Sequence, residues 1–190
     1  LKGNINIESD NHTLFADSIY YDEKSGISYA EGNVKIKEDS NNIIIEGKYG
    51  HHNENSDSTR IWTNSSLTQA DSSDTLKIYA DQFIKINDSL SNEVFCFNNV
   101  IINGTQIQGD CDSIYFNETD SIMKCIIQPI IWVDNNQITG DKIELKLHNG
   151  IIYNLYVKNN SIIINKKDST HYDQTKGDFI DGFFRKNKMW

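Results

Sequence analysis

The residues of this chain equipped for chemistry are a set of recurring aspartates, one histidine pair and three cysteines. Aspartate follows a small residue at Ala16-Asp17, Ala80-Asp81, Cys111-Asp112 and Gly140-Asp141. Gly47-Lys48 holds the corresponding place between the first two, and Gly177-Asp178 follows the last. Carboxylates can cleave a glycosidic bond when two of them lie roughly 5–10 Å apart in unlike surroundings. These pairs, however, return every 29–37 residues. A slot that returns with each repeat serves a backbone need that returns with it. Asp17, Asp81, Asp112 and Asp141 are therefore read as structural corners. Calcium would call for the G-G-x-G-x-D nonapeptide of β-rolls, which the sequence lacks. His51-His52, with Glu54 and Asp57 nearby, is a poor zinc site, because adjacent strand residues point to opposite faces. No catalytic residue, metal or cofactor is expected.

Cys96, Cys111 and Cys125 are odd in number, so at least one thiol is unpaired within the chain. Each replaces an alanine of another repeat, Cys96 and Cys125 at the place of Ala30 and Cys111 at that of Ala16. They read as small buried apolar residues. A Cys96–Cys125 disulfide requires those two slots to face each other on adjacent strands, with Cα atoms within about 7 Å. There is no C-x-x-C and no G-x-x-x-x-G-K-[ST] nucleotide loop.

The elements that position these residues are strands. Ile, Val, Tyr and Phe alternate with polar residues in short runs, and no window carries a helical stripe. Tight turns are expected at Asn41-Asn42, Asn103-Gly104, Asn135-Asn136 and Asn159-Asn160, since Asn and Gly tolerate positive φ. Alternation changes phase at the small-residue/Asp pairs. Leu14 and Ala16 share one parity, Ile19 and Tyr21 the other, and Ile138 and Gly140 give way to Ile143 and Leu145. A phase change inside a strand marks a bulge or corner, where a small residue fits and an aspartate can bond local backbone amides. A second half-motif, Ala30-Glu31-Gly32-Asn33-Val34-Lys35-Ile36, returns as Cys96-Phe97-Asn98-Asn99-Val100-Ile101-Ile102 and more loosely as Cys125 to Ile131. The fourth copy reads as carrying two extra residues around Gly109-Asp110, the second as carrying a polar insertion over 51–58. Each unit is thus two long bent strands, and about five and a half units stack into a jelly-roll cross-section repeated along an axis.

The chain has 190 residues, 37% of them hydrophobic, and a net charge of −9. That charge disfavours nucleic acid and an anionic membrane surface as partners. The basic residues are dispersed, and no apolar run approaches the roughly 18 residues of a membrane span. The first residues lack a charged, then apolar leader, and both ends read as cut points. Residues 1–190 are therefore read as a single repeat-built domain, a fragment of a longer or processed chain. The alternating apolar set has two readings, a packed sandwich core or a lumen wide enough for lipid chains.

ADSIYYDEKSGISYAEGNVKI at 16–36, with its A-D-x-φ-x-Y…A-x-G-N-V pattern, resembles the OstA-like family. These are lipopolysaccharide-transport proteins related to LptA and to the N-terminal domain of LptD. The tail Tyr172-Asp173-Gln174-Thr175-Lys176-Gly177-Asp178 is similar to OstA-like proteins of Bacteroidota. The resemblance implies an all-β, elongated jelly roll of two facing antiparallel sheets, open along one side. It implies a periplasmic or outer-membrane-associated, non-enzymatic module whose apolar lumen shields the acyl chains of lipid A. It also implies end-to-end strand pairing with other jelly-roll domains of a transport bridge, or with copies of itself. With that choice, Ile19, Tyr21, Val34, Ile36, Ile102, Ile114, Phe116, Ile131, Ile143 and Leu145 become the groove residues. Asn4–Ile7 and Phe179–Phe184 become the pairing edges. The competing expectation is a surface carbohydrate-binding or adhesive β-solenoid.

Overall fold

The alternating β-branched and aromatic residues do build strands almost throughout. The computed structural model describes residues 1–8, 12–38, 42–70, 75–87, 91–148, 151–185 and 188–189. Its strands are β1 (Lys2–Glu8), β2 (His12–Asp22), β3 (Ile27–Glu38), β4 (Ile43–Asn53), β5 (Ser58–Ala70), β6 (Thr75–Asn87), β7 (Asn92–Asn103) and β8 (Ile107–Asn117). They continue with β9 (Ile122–Ile126), β10 (Ile130–Val133), β11 (Asn136–Thr139), β12 (Lys142–His148), β13 (Ile151–Lys166), β14 (Tyr172–Arg185) and β15 (Lys188–Met189). All pairings are antiparallel, and from β1 to β8 each strand pairs with its neighbour in sequence.

Each long strand bends once. The register breaks at Phe15/Ser18 on β2, Glu46/Tyr49 on β4 and Tyr79/Gln82 on β6, which places Ala16-Asp17, Gly47-Lys48 and Ala80-Asp81 at the bend. Cys111-Asp112 bends β8, and Gly140-Asp141 separates β11 from β12. The strands between them bend by a different device, two successive residues at positive φ: Gly32-Asn33, Thr63-Asn64, Asn98-Asn99, Ile127-Gln128 and Asn159-Asn160. Small-residue corners and left-handed corners thus alternate up the stack. The line of corners divides the sheet into two limbs, one containing Leu14, Ile36, Ile78 and Ile102, the other Ile19, Phe83, Ile114 and Ile143. The limbs are halves of one continuous hydrogen-bonded sheet folded along that line.

The two devices lock together. Asn33 Nδ2 donates to both carboxylate oxygens of Asp17 at 3.2 and 3.0 Å, Asn99 Nδ2 to Asp81 at 2.9 Å and Asn160 Nδ2 to Asp141 at 3.0 Å. These aspartates accept from an asparagine on the next strand, not from local amides as the sequence suggested. Asp112, which faces Gln128 instead of Asn, accepts from Ser113 Oγ at 2.7 Å. Gly32 is needed here twice over: its φ is +78°, and a Cβ would strike the Asp17 carboxylate.

Several local expectations change. Asn159-Asn160 is not a return turn but the corner in the middle of β13, because the strand continues pairing on both sides of it. The fourth copy has no two-residue insertion. Cys111-Asp112 makes its corner like the others, and Gly109 lies in the ladder between Ile102 and Ile131. Residues 51–58 are not an insertion, since His51–Asn53 extend β4 and a single 3-10 turn, Glu54–Ser56, leads into β5. Turns do occur beside Asn103-Gly104 and Asn135-Asn136. Of Asn41-Asn42, Asn41 lies outside the described residues and Asn42 has φ +51°.

Candidate functional site

Register turns the alternation into continuous rows facing the space between the limbs. In one limb the row runs Leu14, Ile36, Ile45, Leu67, Ile78, Ile102, Gly109, Ile131, Ile138 and Ile163. In the other, the row beside the corners runs Ile19, Ala30, Gly50, Ile61, Phe83, Cys96, Ile114, Cys125, Ile143 and Val157. Both rows are apolar from β2 to β13. Hairpin turns form the rims opposite the corners, and no described strand pairs across from rim to rim.

Of the sequence-derived groove residues, Ile19, Val34, Ile102, Ile114, Ile131, Ile143 and Leu145 lie buried in this interior, while Ile36 and Phe116 pack against it half-buried. Tyr21 differs. It stands at the rim, 48% exposed, its hydroxyl 3.0 Å from Glu54. Ile131, Ile143 and Leu145 are wholly inaccessible, so the limbs meet over the second half of the chain. An opening of about 190 Å³ lies on the seam there, between Thr105, Gln106, Val133 and Asp134 on one rim and Ile152 and Phe184 on the other.

The next row toward the rim changes character along the stack. It begins Tyr21, Ser28, His52, Thr59, Lys85 and continues Val94, Phe116, Met123, Leu145, Leu155. The switch from polar to apolar escapes the sequence, because Phe83-Ile84-Lys85-Ile86 has no clear phase. In the structure Phe83 and Lys85 both face inward. Lys85 Nζ bonds both oxygens of Glu38, at 2.6 Å each, and lies 3.7 Å from Glu118 Oε1. Glu38 ends β3 on one limb, whereas Lys85 and Glu118 belong to the other. This ion cluster therefore bridges the two limbs at the rim.

Among the described residues, the histidines and cysteines stand apart from this cluster. His52 Nδ1 lies 3.0 Å from Thr59 Oγ1, and His51 packs edge-on to Tyr29 at 4.9 Å on the outer face. Among the described residues no cluster of His, Cys, Asp and Glu could hold a metal. Cys96 and Cys125 flank Ile114 on opposite strands, two strand spacings or about 10 Å apart, too far for a disulfide. All three thiols are free and buried. Burial holds the Cys96 thiol well above its usual range, and the hydrogen bond Cys125 shares with Cys111, together with complete burial, does the same for Cys125. The thiolate is the reactive form. Cys111 is the exception, its thiol held below the usual range by its hydrogen bonds to Cys125 and to the Ile126 backbone. Iodoacetamide is therefore expected to spare Cys96 and Cys125 in the native protein and to alkylate all three cysteines after denaturation, read by peptide mass mapping.

The outer face of the second limb carries a ladder of aromatic side chains that the sequence reading left aside. Tyr49 stacks on Trp62 at 5.7 Å, Phe95 meets Tyr115 at 5.2 Å and Arg60 lies over Trp62 at 5.0 Å. Such cross-strand pairs stabilise a sheet.

A long β-jelly roll of singly bent strands, with an apolar interior between limbs continuous through their corners, defines the class. The chain belongs to the family described as LptA/(LptD N-terminal domain) LPS transport protein, which it matches over residues 1–151. Among solved structures, the chain is similar to LptH from Pseudomonas aeruginosa, the LptA homologous periplasmic component of the conserved lipopolysaccharide transport device. Identity is 15%, with 86% of this chain and 93% of that one covered and a TM-score of 0.39. No curated protein sequence matches.

Proposed function

We propose that this chain is a periplasmic lipid-binding module of a lipopolysaccharide transport bridge, and that it works by shielding lipid A acyl chains between its limbs without catalysis. The observation that carries this reading is the pair of apolar rows running unbroken from β2 to β13, in a sheet whose described strands do not pair with one another from rim to rim. Each methylene removed from water stabilises binding by about 0.8 kcal/mol, so a few chains suffice for firm retention. Because Ile102 and Ile143 are packed between the limbs, the limbs part about the corner line as chains enter. Release then occurs by transfer to an adjoining groove. The outer strands β1 and β14 each leave one edge unpaired along most of their length, and such edges accept strand addition from a like domain or a second copy.

A photo-crosslinking amino acid placed singly at Ile36, Ile102 and Ile143 is expected to yield lipopolysaccharide adducts in cells. The same probe at outward-facing Lys37 and Lys142 is expected to yield none. Equal labelling at the lysines, or none at the three isoleucines, overturns the groove.

A further inference from the structure

Lys85 stands where neighbouring strands place Thr59 and Val94, and where the same row elsewhere holds Tyr21, Phe116 and Leu145. Its side chain is 10% exposed, and those of Glu38 and Glu118 are 14% exposed. Burying an ammonium costs several kcal/mol unless partners compensate, so a lysine in a row that otherwise turns apolar needs a reason. Its compensation is uneven. Glu38 grips Nζ with both oxygens, whereas Glu118 Oε1 is buried with no hydrogen-bond partner among the described residues. Two carboxylates share one cation, leaving the cluster with one excess negative charge. The polar stretch of this row, Ser28, His52, Thr59 and Lys85, lies rimward of the apolar floor of Ile19, Ala30, Ile61 and Phe83. Polar rim over apolar floor is the arrangement an amphiphile matches, with its chains inward and its headgroup at the mouth.

We propose that Lys85 is the headgroup site of the groove: the rim carboxylates hold its ammonium, and it passes to the phosphate of an anionic amphiphile as the chains enter. The exchange separates Glu38 from Lys85, and so unfastens one limb from the other at the point where chains must pass. Glu38 and Glu118 then gain the water that burial denies them. This inference rests on the groove reading above.

The test compares binding of lipid A with that of the same lipid A after chemical removal of its phosphates, so that the chains are identical. The native protein is expected to prefer the phosphorylated form by roughly tenfold or more, the effect of one charge-assisted contact. Lys85→Met should abolish the preference, and Lys85→Arg should retain it. Glu38→Gln/Glu118→Gln removes the competing carboxylates. It should widen the preference for the phosphorylated lipid, a gain that a merely structural ion cluster would not produce. Circular dichroism checks the fold of each variant. A preference that survives in Lys85→Met, or equal loss of both lipids in the double glutamine variant, overturns the proposal. Equal binding of both lipids by the native protein overturns it and leaves the groove standing, whereas binding of neither removes the groove itself. Inorganic phosphate in excess should compete poorly; competition as effective as that of lipid A would make this a free-phosphate site and overturn the lipid assignment.

Discussion

Replacing Leu145 by alanine is expected to lower stability by about 2–5 kcal/mol, the range for a large aliphatic removed from a site that cannot collapse. Leu145 has no accessible surface. It lies in register between Met123 and Leu155, and Ile143, two residues earlier on the same face, is equally inaccessible. Twisted strands held on both sides by hydrogen bonds have little freedom to move inward and fill the void. Equilibrium unfolding in urea measures the effect. Tyr21→Ala is the contrast, because Tyr21 is 48% exposed at the rim and has a single hydrogen bond to Glu54; its loss should cost less than about 1 kcal/mol. A Leu145→Ala variant within about 0.5 kcal/mol of the native protein would mean that the limbs are not packed together there.

The second large effect is expected at a corner. Asn98 and Asn99 have φ of +62° and +53°, a conformation that costs a residue with a bulky Cβ roughly 1–2 kcal/mol. Asn98→Val/Asn99→Val should therefore lose about 2–4 kcal/mol to backbone strain, and a further ~1 kcal/mol with the bond from Asn99 to Asp81. The double glycine variant keeps access to the conformation and loses mainly the bond and some chain entropy. Thermal unfolding should rank the native protein first, the glycine variant second and the valine variant last. Asp81→Asn should cost less than about 1 kcal/mol, since an exposed charge-assisted bond is all it weakens. A valine variant as stable as the glycine variant would show that the corner does not depend on the left-handed conformation.

Much of this was legible from the residues alone. Alternation with a period of two declared the strands, and the phase change between Ala16 and Ile19 declared the bend. The equivalence of Cys96 and Cys125 with Ala30 declared small inward residues beside the corners. These are local properties, set by the backbone and by which side chains tolerate burial. The left-handed corners were only half visible. The G-N-V of β3 and N-N-V of β7 stood out, and Cys125 to Ile131 followed them loosely, but Thr63-Asn64 carries no glycine and hides in its strand. Asn159-Asn160 shows why: its residues record that φ is positive, not whether the chain beyond doubles back as a hairpin or goes on pairing with the strands beside it.

Tertiary structure decided whatever depends on partners distant in sequence. The aspartates of the corners find their asparagines 16 to 19 residues away, a matter of register between strands. Lys85 meets Glu38 across 47 residues because two limbs of one sheet fold toward each other. A lone lysine in a strand reads as solvated, since a buried ammonium is costly and its compensation lies outside the local sequence. Strand, bend and inward face are written in each segment's own alternation and propensity. The closure of the limbs and the charge that fastens them are long-range consequences of stacking those segments in one register.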